Sequence, residues 1–296
     1  MTWPTPRQIG GCLRDAAIKT IAHDGVEHAG YLAFLGLLAM FPFLVFLVAV
    51  IGFLGQGQEG TAFITSVLQA LPDHITAALK PRVVEIISGP PQGLLTVSIL
   101  GAIWTASSAV EGIRTILNRA YHIATPPAYW FRRSLSIVQL LIFTFIAIIG
   151  MFLVVTLQIL IHHLEDVFGI HLTAENQAYL SKMIILIFVC VLFLAVSSIY
   201  YTVPNIRQRF VSVIPGALLV VLGWLGNAYL FTLYLLNFNQ VNLIYGSLGG
   251  IIAALIFFYI CNVIFIFGAE FNYQIVTLLG QRIAKRDDAP TTGRVP

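Results

Sequence analysis

The chain of 296 residues is 58% hydrophobic and only 10% charged, and its mean hydropathy is +0.88. Soluble domains are about 45–50% apolar and about 25% charged, so this composition excludes an ordinary soluble protein and predicts a polytopic protein of the lipid bilayer. The net charge of +3 is too small to indicate a nucleic-acid partner. The three cysteines (Cys12, Cys190 and Cys261) have no spacing typical of a disulfide framework or a zinc site.

The N-terminal segment, residues 1–30, is predicted to be cytoplasmic and to contain a helix over 5–22, with Thr5 as N-cap and Pro6 at the first helical position. Its apolar residues share one face: Ile9, Leu13, Ala17 and Ile21. A basic amphipathic helix of this kind lies on the membrane surface or caps the helix bundle. No apolar run ends in a cleavage site here, so the first span is expected to direct insertion.

Six apolar segments follow, each close to the roughly 20 residues that a bilayer core requires. They cover about 31–54, 93–110, 135–162, 180–203, 211–236 and 246–277. The sequence therefore predicts an all-α transmembrane domain over 31–278. The connection 55–92 combines helical apolar spacing with several prolines and is expected to form short interfacial helices in the first outer loop. The tail 279–296 is short and polar, and disorder is expected there.

The distribution of Lys and Arg predicts the orientation of the spans. With six spans, all the basic residues except Lys80, Arg82 and Lys182 fall on one side. This side is then the cytoplasm, and both termini lie in it.

The second span carries two stripes at helical spacing. Small residues form the first, which favours close packing between membrane helices: Gly101, Thr105, Ser108 and Gly112. Such a face can join helices within one subunit or between two copies, so a homo-oligomer is compatible with it. The second stripe is polar: Ser107, Glu111, Arg114 and Asn118.

Other polar residues are predicted to reach the same membrane level as this polar stripe, namely Pro204, Asn205, Glu270 and Asn272. Glu270 is the only acid in the last apolar segment, and Arg114 or Arg119 is its expected partner. Two interpretations stay open. The polar residues lock the helix ends together, or they form the polar floor of a cavity for a small solute or ion. As a substrate pathway, the predicted set is Ser107, Glu111, Arg114, Asn118, Pro204, Asn205, Glu270 and Asn272.

No motif predicts an enzyme, a cofactor or a metal centre. The sequence contains no phosphate-binding glycine loop, no GxSxG and no HExxH. A histidine-containing outer cluster matches no closed four-ligand zinc pattern: His162, His163, Glu165, Asp166 and His171.

Four ordered blocks resemble those of the YihY/BrkB family of bacterial inner-membrane proteins, once labelled ribonuclease BN-like. The blocks are FPFLVFLVAVIGFLG (41–55), WTASSAVEGIRTILNRAY (104–121), YTVPNIRQRFVSVIPGALLVVLGW (201–224) and YGSLGGIIAALIFFYICNVIFIFGAEFN (245–272). The resemblance implies six transmembrane helices in the bacterial inner membrane. It also carries over three family patterns: Ser107-Glu111-Arg114-Asn118, Pro204-Asn205, and Gly268-Ala269-Glu270 with Asn272. The old nuclease label fits the chemistry of these residues poorly, and the resemblance points to solute or ion export.

The leading hypothesis is a transporter or exporter that does not use ATP and moves a small solute, an ion or a lipid-like substrate. The alternative is a non-transporting envelope scaffold that organises lipid or protein partners, with 55–92 as its working surface.

The six-span topology can be tested by labelling single cysteines from either side of the membrane. In a background without native cysteines, Gln240→Cys should be labelled from the outer side and Pro290→Cys from the cytoplasmic side. Labelling of both positions from the same side would contradict six spans.

Overall fold

A computed structural model describes residues 5–54, 92–123, 128–168, 174–236, 247–279 and 284–285. Seven α-helices occupy these ranges: α1 (Pro6–Ala22), α2 (Gly25–Leu54), α3 (Gln92–Ala120), α4 (Tyr129–Phe168), α5 (Ala174–Thr202), α6 (Ile214–Leu236) and α7 (Ser247–Leu278). A 3-10 turn, Phe210–Val213, precedes α6. Two short strands, β1 (Ile206–Arg207) and β2 (Ala284–Lys285), pair antiparallel.

The helical class predicted from composition is confirmed. Within the described ranges, four stretches are long and apolar enough to cross a bilayer: Tyr129–Gly150, Ile185–Thr202, Phe210–Leu236 and Gly249–Leu278. A shorter apolar helical stretch covers Gly25–Met40. The chain is therefore a multi-pass membrane protein. The interfacial helices expected over 55–92 lie outside the described residues, except for residue 92, which begins α3.

The chain divides into two compact units. The first comprises 1–38, 109–134 and 192–296, and the second comprises 39–108 and 135–191. In the second unit, a Cβ added at Gly150 of α4 would lie 3.7 Å from Val191 of α5, which is ordinary van der Waals contact. The first unit contains almost all of the predicted polar site.

Helix α1 packs against α7 in the first unit, so the described contacts favour the capping role that the sequence left open. Cys12 and Ala16 of α1 form a buried cluster with Phe271 and Ile275 of α7. The predicted apolar face is confirmed in part: Ile9 and Leu13 pack against this cluster, whereas Ala17 and Ile21 are exposed. Small side chains let two helices approach closely, and a pattern based on large apolar residues leaves out Cys12 and Ala16.

Helices α6 and α7 approach most closely at two glycines. A Cβ at Gly216 would collide with the carbonyl oxygen of Gly268, and a Cβ at Gly268 would collide with Val220. The Asn272 side chain fixes the same crossing, since its Oδ1 accepts from the Gly216 N–H at 2.7 Å. Its Nδ2 donates to the Val213 carbonyl at 3.2 Å. Asn272 thus satisfies a backbone donor at the start of α6 that the helix itself leaves without a partner.

Two asparagines deeper in the apolar helices have different partners. Asn227 of α6 contacts α7, donating to the Phe257 carbonyl at 3.4 Å and to the Cys261 sulfur at 3.2 Å. The Asn262 amide donates to the Phe258 carbonyl one turn back in its own helix.

Substitution of Gly216 tests the α6–α7 crossing. Gly216→Ala should lower the free energy of unfolding in detergent by about 1–3 kcal/mol, the usual cost of overpacking a dense interior. The matched control is Gly226→Ala in the same helix, where a Cβ would meet nothing within 4 Å. The control should be neutral or slightly stabilising, because Ala is the better helix former. Equal losses in the two variants would contradict the close crossing.

Candidate functional site

Arg114 is the most deeply buried charge of the predicted site. Its side chain is 0% exposed near the C-terminal end of α3. The guanidinium Nη1 donates to the Val203 carbonyl, just beyond α5, at 2.7 Å. Its Nε lies 3.3 Å from Oε2 of Glu111, one turn earlier in α3. A buried guanidinium is tolerated only when it is paired and hydrogen-bonded, and these contacts meet that requirement.

Glu111 links this arginine to a second one. Its Oε1 lies 3.2 Å from Nε of Arg132 at the start of α4, while its Oε2 faces Arg114. The carboxylate is 16% exposed. One carboxylate shared by two guanidinium groups leaves these three side chains with a net positive charge.

Asn118 and Asn205 meet next to this ion-pair network. Asn118 Oδ1 accepts from the backbone N–H of Asn205 at 2.9 Å, and both residues are buried. Pro204 lies between Val203 and Asn205 and is also buried. We call the group of Glu111, Arg114, Asn118, Val203 and Asn205 the α3–α5 cluster.

Glu270 has a different partner from the one predicted. Neither Arg114 nor Arg119 forms a described ion pair with it, so that prediction was wrong. Its Oε1 lies 2.9 Å from Nδ1 of His23, the residue that caps the C-terminal end of α1. Arg119 instead lies 3.6 Å from Asp24 and contacts the His28 ring. The reason is that α1 packs against α7 and places its C-cap residue, His23, beside Glu270.

His122 completes the surroundings of Glu270. The rings of His23 and His122 meet edge to face with centroids 4.8 Å apart, and His122 also lies 4.5 Å from the Tyr273 ring. Single donor atoms of His23, His122 and Glu270 lie within 4.8 Å of one another. We call these three residues the histidine–carboxylate cluster. Glu270 is 1% exposed, whereas the His23 side chain is 31% exposed and His122 is also exposed.

The backbone places His122 through the ending of α3. The N–H groups of His122 and Ile123 donate to the carbonyls of Arg119 and Asn118, at 3.0 and 2.8 Å. These two bonds form a Schellman motif with His122 at the left-handed position, where its φ is 57°. Glycine is the usual residue there, because a Cβ is unfavourable at positive φ.

Burial also changes the pKa values of Tyr121, which lies beside the cluster, and of His122, which belongs to it. It raises the pKa of the Tyr121 phenol far above its usual value, more than the nearby Asn272 and Gln208 amides lower it. Partial burial lowers the pKa of His122, and the charges of His23 and Lys19 lower it further.

The eight predicted pathway residues thus separate into groups. The structure joins Glu111, Arg114, Asn118 and Asn205, places Pro204 beside them, and sets Glu270 with His23. Asn272 fixes the α6–α7 crossing. Ser107 belongs to the second unit, where its hydroxyl donates to the Trp104 carbonyl.

Sequence reasoning missed both histidines of the cluster. His23 directly follows the helix predicted over 5–22, and His122 directly follows the motif 104–121. Histidines at two predicted helix ends were the available clue. The outer cluster of His162, His163, Glu165, Asp166 and His171 has no described side chain.

The sequence profile of a family described as Virulence factor BrkB matches residues 18–294. The chain belongs to the BrkB family. This confirms the resemblance that the four sequence blocks indicated.

Curated relatives support the membership over most of the chain. A Bacillus subtilis protein named "Putative ribonuclease-like protein YfkH" is 26% identical over 94% of this chain and 98% of its own length. A "UPF0761 membrane protein" of Chromohalobacter salexigens is 25% identical over 91% of this chain. The BrkB-family chain described here spans 63% of that relative's length. A UPF0761 membrane protein of Aliivibrio fischeri is 25% identical over 87% of this chain and 81% of its own. No solved structure matches the chain.

Removal of the Arg114 charge tests the α3–α5 cluster of this BrkB-family protein. Arg114→Met should lower the free energy of unfolding by about 1–3 kcal/mol, because the buried Val203 carbonyl loses its hydrogen-bond donor and Glu111 keeps only Arg132 as a described ion-pair partner. The control is Arg14→Gln, which removes a 77%-exposed arginine paired with Asp15. An exposed pair contributes less than about 1 kcal/mol. Similar losses in both variants would show that the cluster does not hold α3 to α5.

Proposed function

We propose that this protein is a transporter or exporter of the bacterial inner membrane, not driven by ATP, that moves a small solute, an ion or a lipid-like substrate. In this proposal the chain crosses the membrane six times, and both termini lie in the cytoplasm. The polar ends of α3, α5 and α7 then face the cytoplasm and form the floor of the pathway.

The observation that carries this proposal is the state of Glu270. It lies in the apolar stretch Gly249–Leu278 and is 1% exposed, yet only His23 hydrogen-bonds to it among the described residues. Its second oxygen, Oε2, is buried and accepts no hydrogen bond from any residue described in the structure. An ionisable group inside an apolar membrane helix is costly and usually marks a substrate or ion pathway.

The α3–α5 cluster has a supporting role in the proposal. Arg114 is engaged by Glu111 and by the Val203 carbonyl, so its charge holds helix ends together. The ion-pair network expected as the structural alternative thus accounts for this part of the predicted site. The proposal assigns to Glu270 the carboxylate that binds and releases the proton or cation, with His23 as the partner that it exchanges.

The proposal includes no enzymatic step. The name of the Bacillus relative mentions ribonuclease-like character, but this sequence contains no recognised nuclease motif. A two-metal nuclease needs clustered carboxylates and a basic groove for the nucleic acid. Here Glu111 is occupied by two arginines, and Glu270 is buried where a nucleic acid cannot reach it. Energy for transport would come from an ion gradient, a partner or the substrate gradient itself.

Flux in liposomes tests the proposal. The purified chain should dissipate an imposed proton or alkali-cation gradient, or release one of a panel of entrapped small solutes. Glu270→Gln should reduce that flux about tenfold or more, because glutamine keeps the shape of the side chain but cannot carry the charge. The folded yield and melting temperature should change little.

The matched control is Asp15→Asn, which makes the same chemical change at a half-exposed site on α1. Its flux should equal that of the wild type. Equal flux in Glu270→Gln and the wild type would remove Glu270 from the mechanism. A wild-type protein that moves none of the probes would favour the scaffold alternative.

A further inference from the structure

Three potential metal ligands converge beside α7 from different parts of the chain. His23 ends α1, His122 follows α3, and Glu270 lies within α7. One donor atom from each lies within 4.8 Å of the other two. The three residues are far apart in the sequence, and neither histidine lies on the helix that carries Glu270. Their proximity is therefore a result of the tertiary fold.

Two independent features of the cluster point to a ligand-binding role. The Oε2 atom of Glu270 is buried and without a hydrogen-bond donor among the described residues. A buried acceptor without a partner loses the favourable hydration that it has in water, so binding of a cation there is favourable. The second feature is the left-handed backbone at His122, which holds a histidine where glycine is usual. Unfavourable backbone of this kind is often found at functional sites.

We propose that His23, His122 and Glu270 bind a divalent transition-metal ion, with Zn²⁺ as the best fit. Two imidazoles and one carboxylate are the donor set of zinc sites that keep a fourth position open. The exposed sides of both histidines leave that position accessible to solvent or to a small anion. Ca²⁺ and Mg²⁺ prefer sites made only of oxygen atoms, so the two nitrogen donors select against them.

The site is close to the geometry that the ion requires. Zinc bonds of about 2.0–2.2 Å place tetrahedral donors roughly 3.4 Å apart. His23 Nδ1 and Glu270 Oε1 already lie 2.9 Å apart. The widest donor separation in the cluster, 4.8 Å, must shorten by somewhat more than an ångström. Both histidines lie at helix ends and are in part accessible to solvent, and their rings contact mainly each other and Tyr273, so small side-chain rotations can close this gap. The metal replaces the present His23–Glu270 hydrogen bond.

Lys19 is the charge that opposes this site. Its ammonium lies 5.4 Å from the centre of the Tyr273 ring, which in turn packs on His122, and it acts electrostatically on that histidine. The carboxylate of Glu270 offsets this positive charge. Removal of the lysine charge should therefore raise the affinity of the cluster for a metal ion. If the three residues had a purely structural role, the same change would leave metal affinity unaltered.

Metal binding at this site does not depend on transport. The ion would satisfy Glu270 and connect α1, the end of α3 and α7, whatever the protein moves across the membrane. A binding measurement contains no flux, so the metal proposal and the transport proposal can fail separately.

Calorimetric titration of the metal-stripped, full-length protein in detergent with Zn²⁺ tests the inference. The wild type should bind one ion that His122→Asn and Glu270→Gln each weaken about tenfold or more, since each removes a direct ligand. Asparagine tolerates the left-handed backbone at position 122, and glutamine can still hydrogen-bond to His23, so both variants should fold. If one fails to fold, the other decides the result.

The control is His28→Asn, which removes a histidine on α2 that contacts Arg119 and the Asp24 carbonyl and lies outside the cluster. Its Zn²⁺ affinity should match that of the wild type, and Lys19→Gln should bind the ion more tightly. Absence of a Zn²⁺ site in the wild type would overturn the inference. So would a site that His122→Asn and Glu270→Gln leave unchanged, because the ion would then be bound elsewhere.

Discussion

The burial of the Arg114 guanidinium is the constraint on which the polar part of the first unit depends. A charge with no exposed surface must be matched by partners on several sides, and these come from α3 itself and from the chain just after α5. The Val203 carbonyl is available because α5 ends at Thr202 and frees its last carbonyls. Once α3 and α5 are tied there, the Asn205 N–H meets Asn118 one turn further along α3. The arginine thus fixes where α5 ends relative to α3.

Helix α7 is held on α6 by uncharged contacts, unlike α3 and α5, which an ion pair and hydrogen bonds hold together. Glu270 is therefore available for the proposed function. Backbone contact at Gly216 and Gly268, with Asn272 hydrogen-bonded across the crossing, fixes α7 on α6 without any charge. Glu270, two residues before Asn272, is therefore not needed to position its own helix. Its carboxylate keeps one oxygen without a donor among the described residues. A charge whose helix is already fixed can exchange partners at low structural cost, which is what a proton, a metal ion or a transported ion requires.

The sequence predicted helix content, the approximate helix positions and the residues of the α3–α5 cluster other than Val203, because hydrophobic periodicity and motif spacing encode them directly. It could not predict that Glu270 meets His23. That contact depends on how α1 packs against α7, through a face built on Cys12 and Ala16. The stripe of Ile9, Leu13, Ala17 and Ile21 includes two residues that pack against this face, Ile9 and Leu13. It leaves out the small residues at the centre of the face, which are the ones that allow two helices to approach closely. His122 was missed for a related reason: its position follows from a left-handed helix ending where sequence rules expect glycine.

We infer that the α3–α5 cluster stabilises the fold while the Glu270–His23 contact is exchangeable. Double-mutant cycles on the free energy of unfolding in detergent distinguish the two roles, because they isolate the coupling between two side chains. One cycle combines Glu111→Gln with Arg114→Met, and the other combines His23→Asn with Glu270→Gln. We expect a coupling of about 1–3 kcal/mol for the first pair and less than about 0.5 kcal/mol for the second. A coupling at His23–Glu270 as large as that at Glu111–Arg114 would contradict this inference.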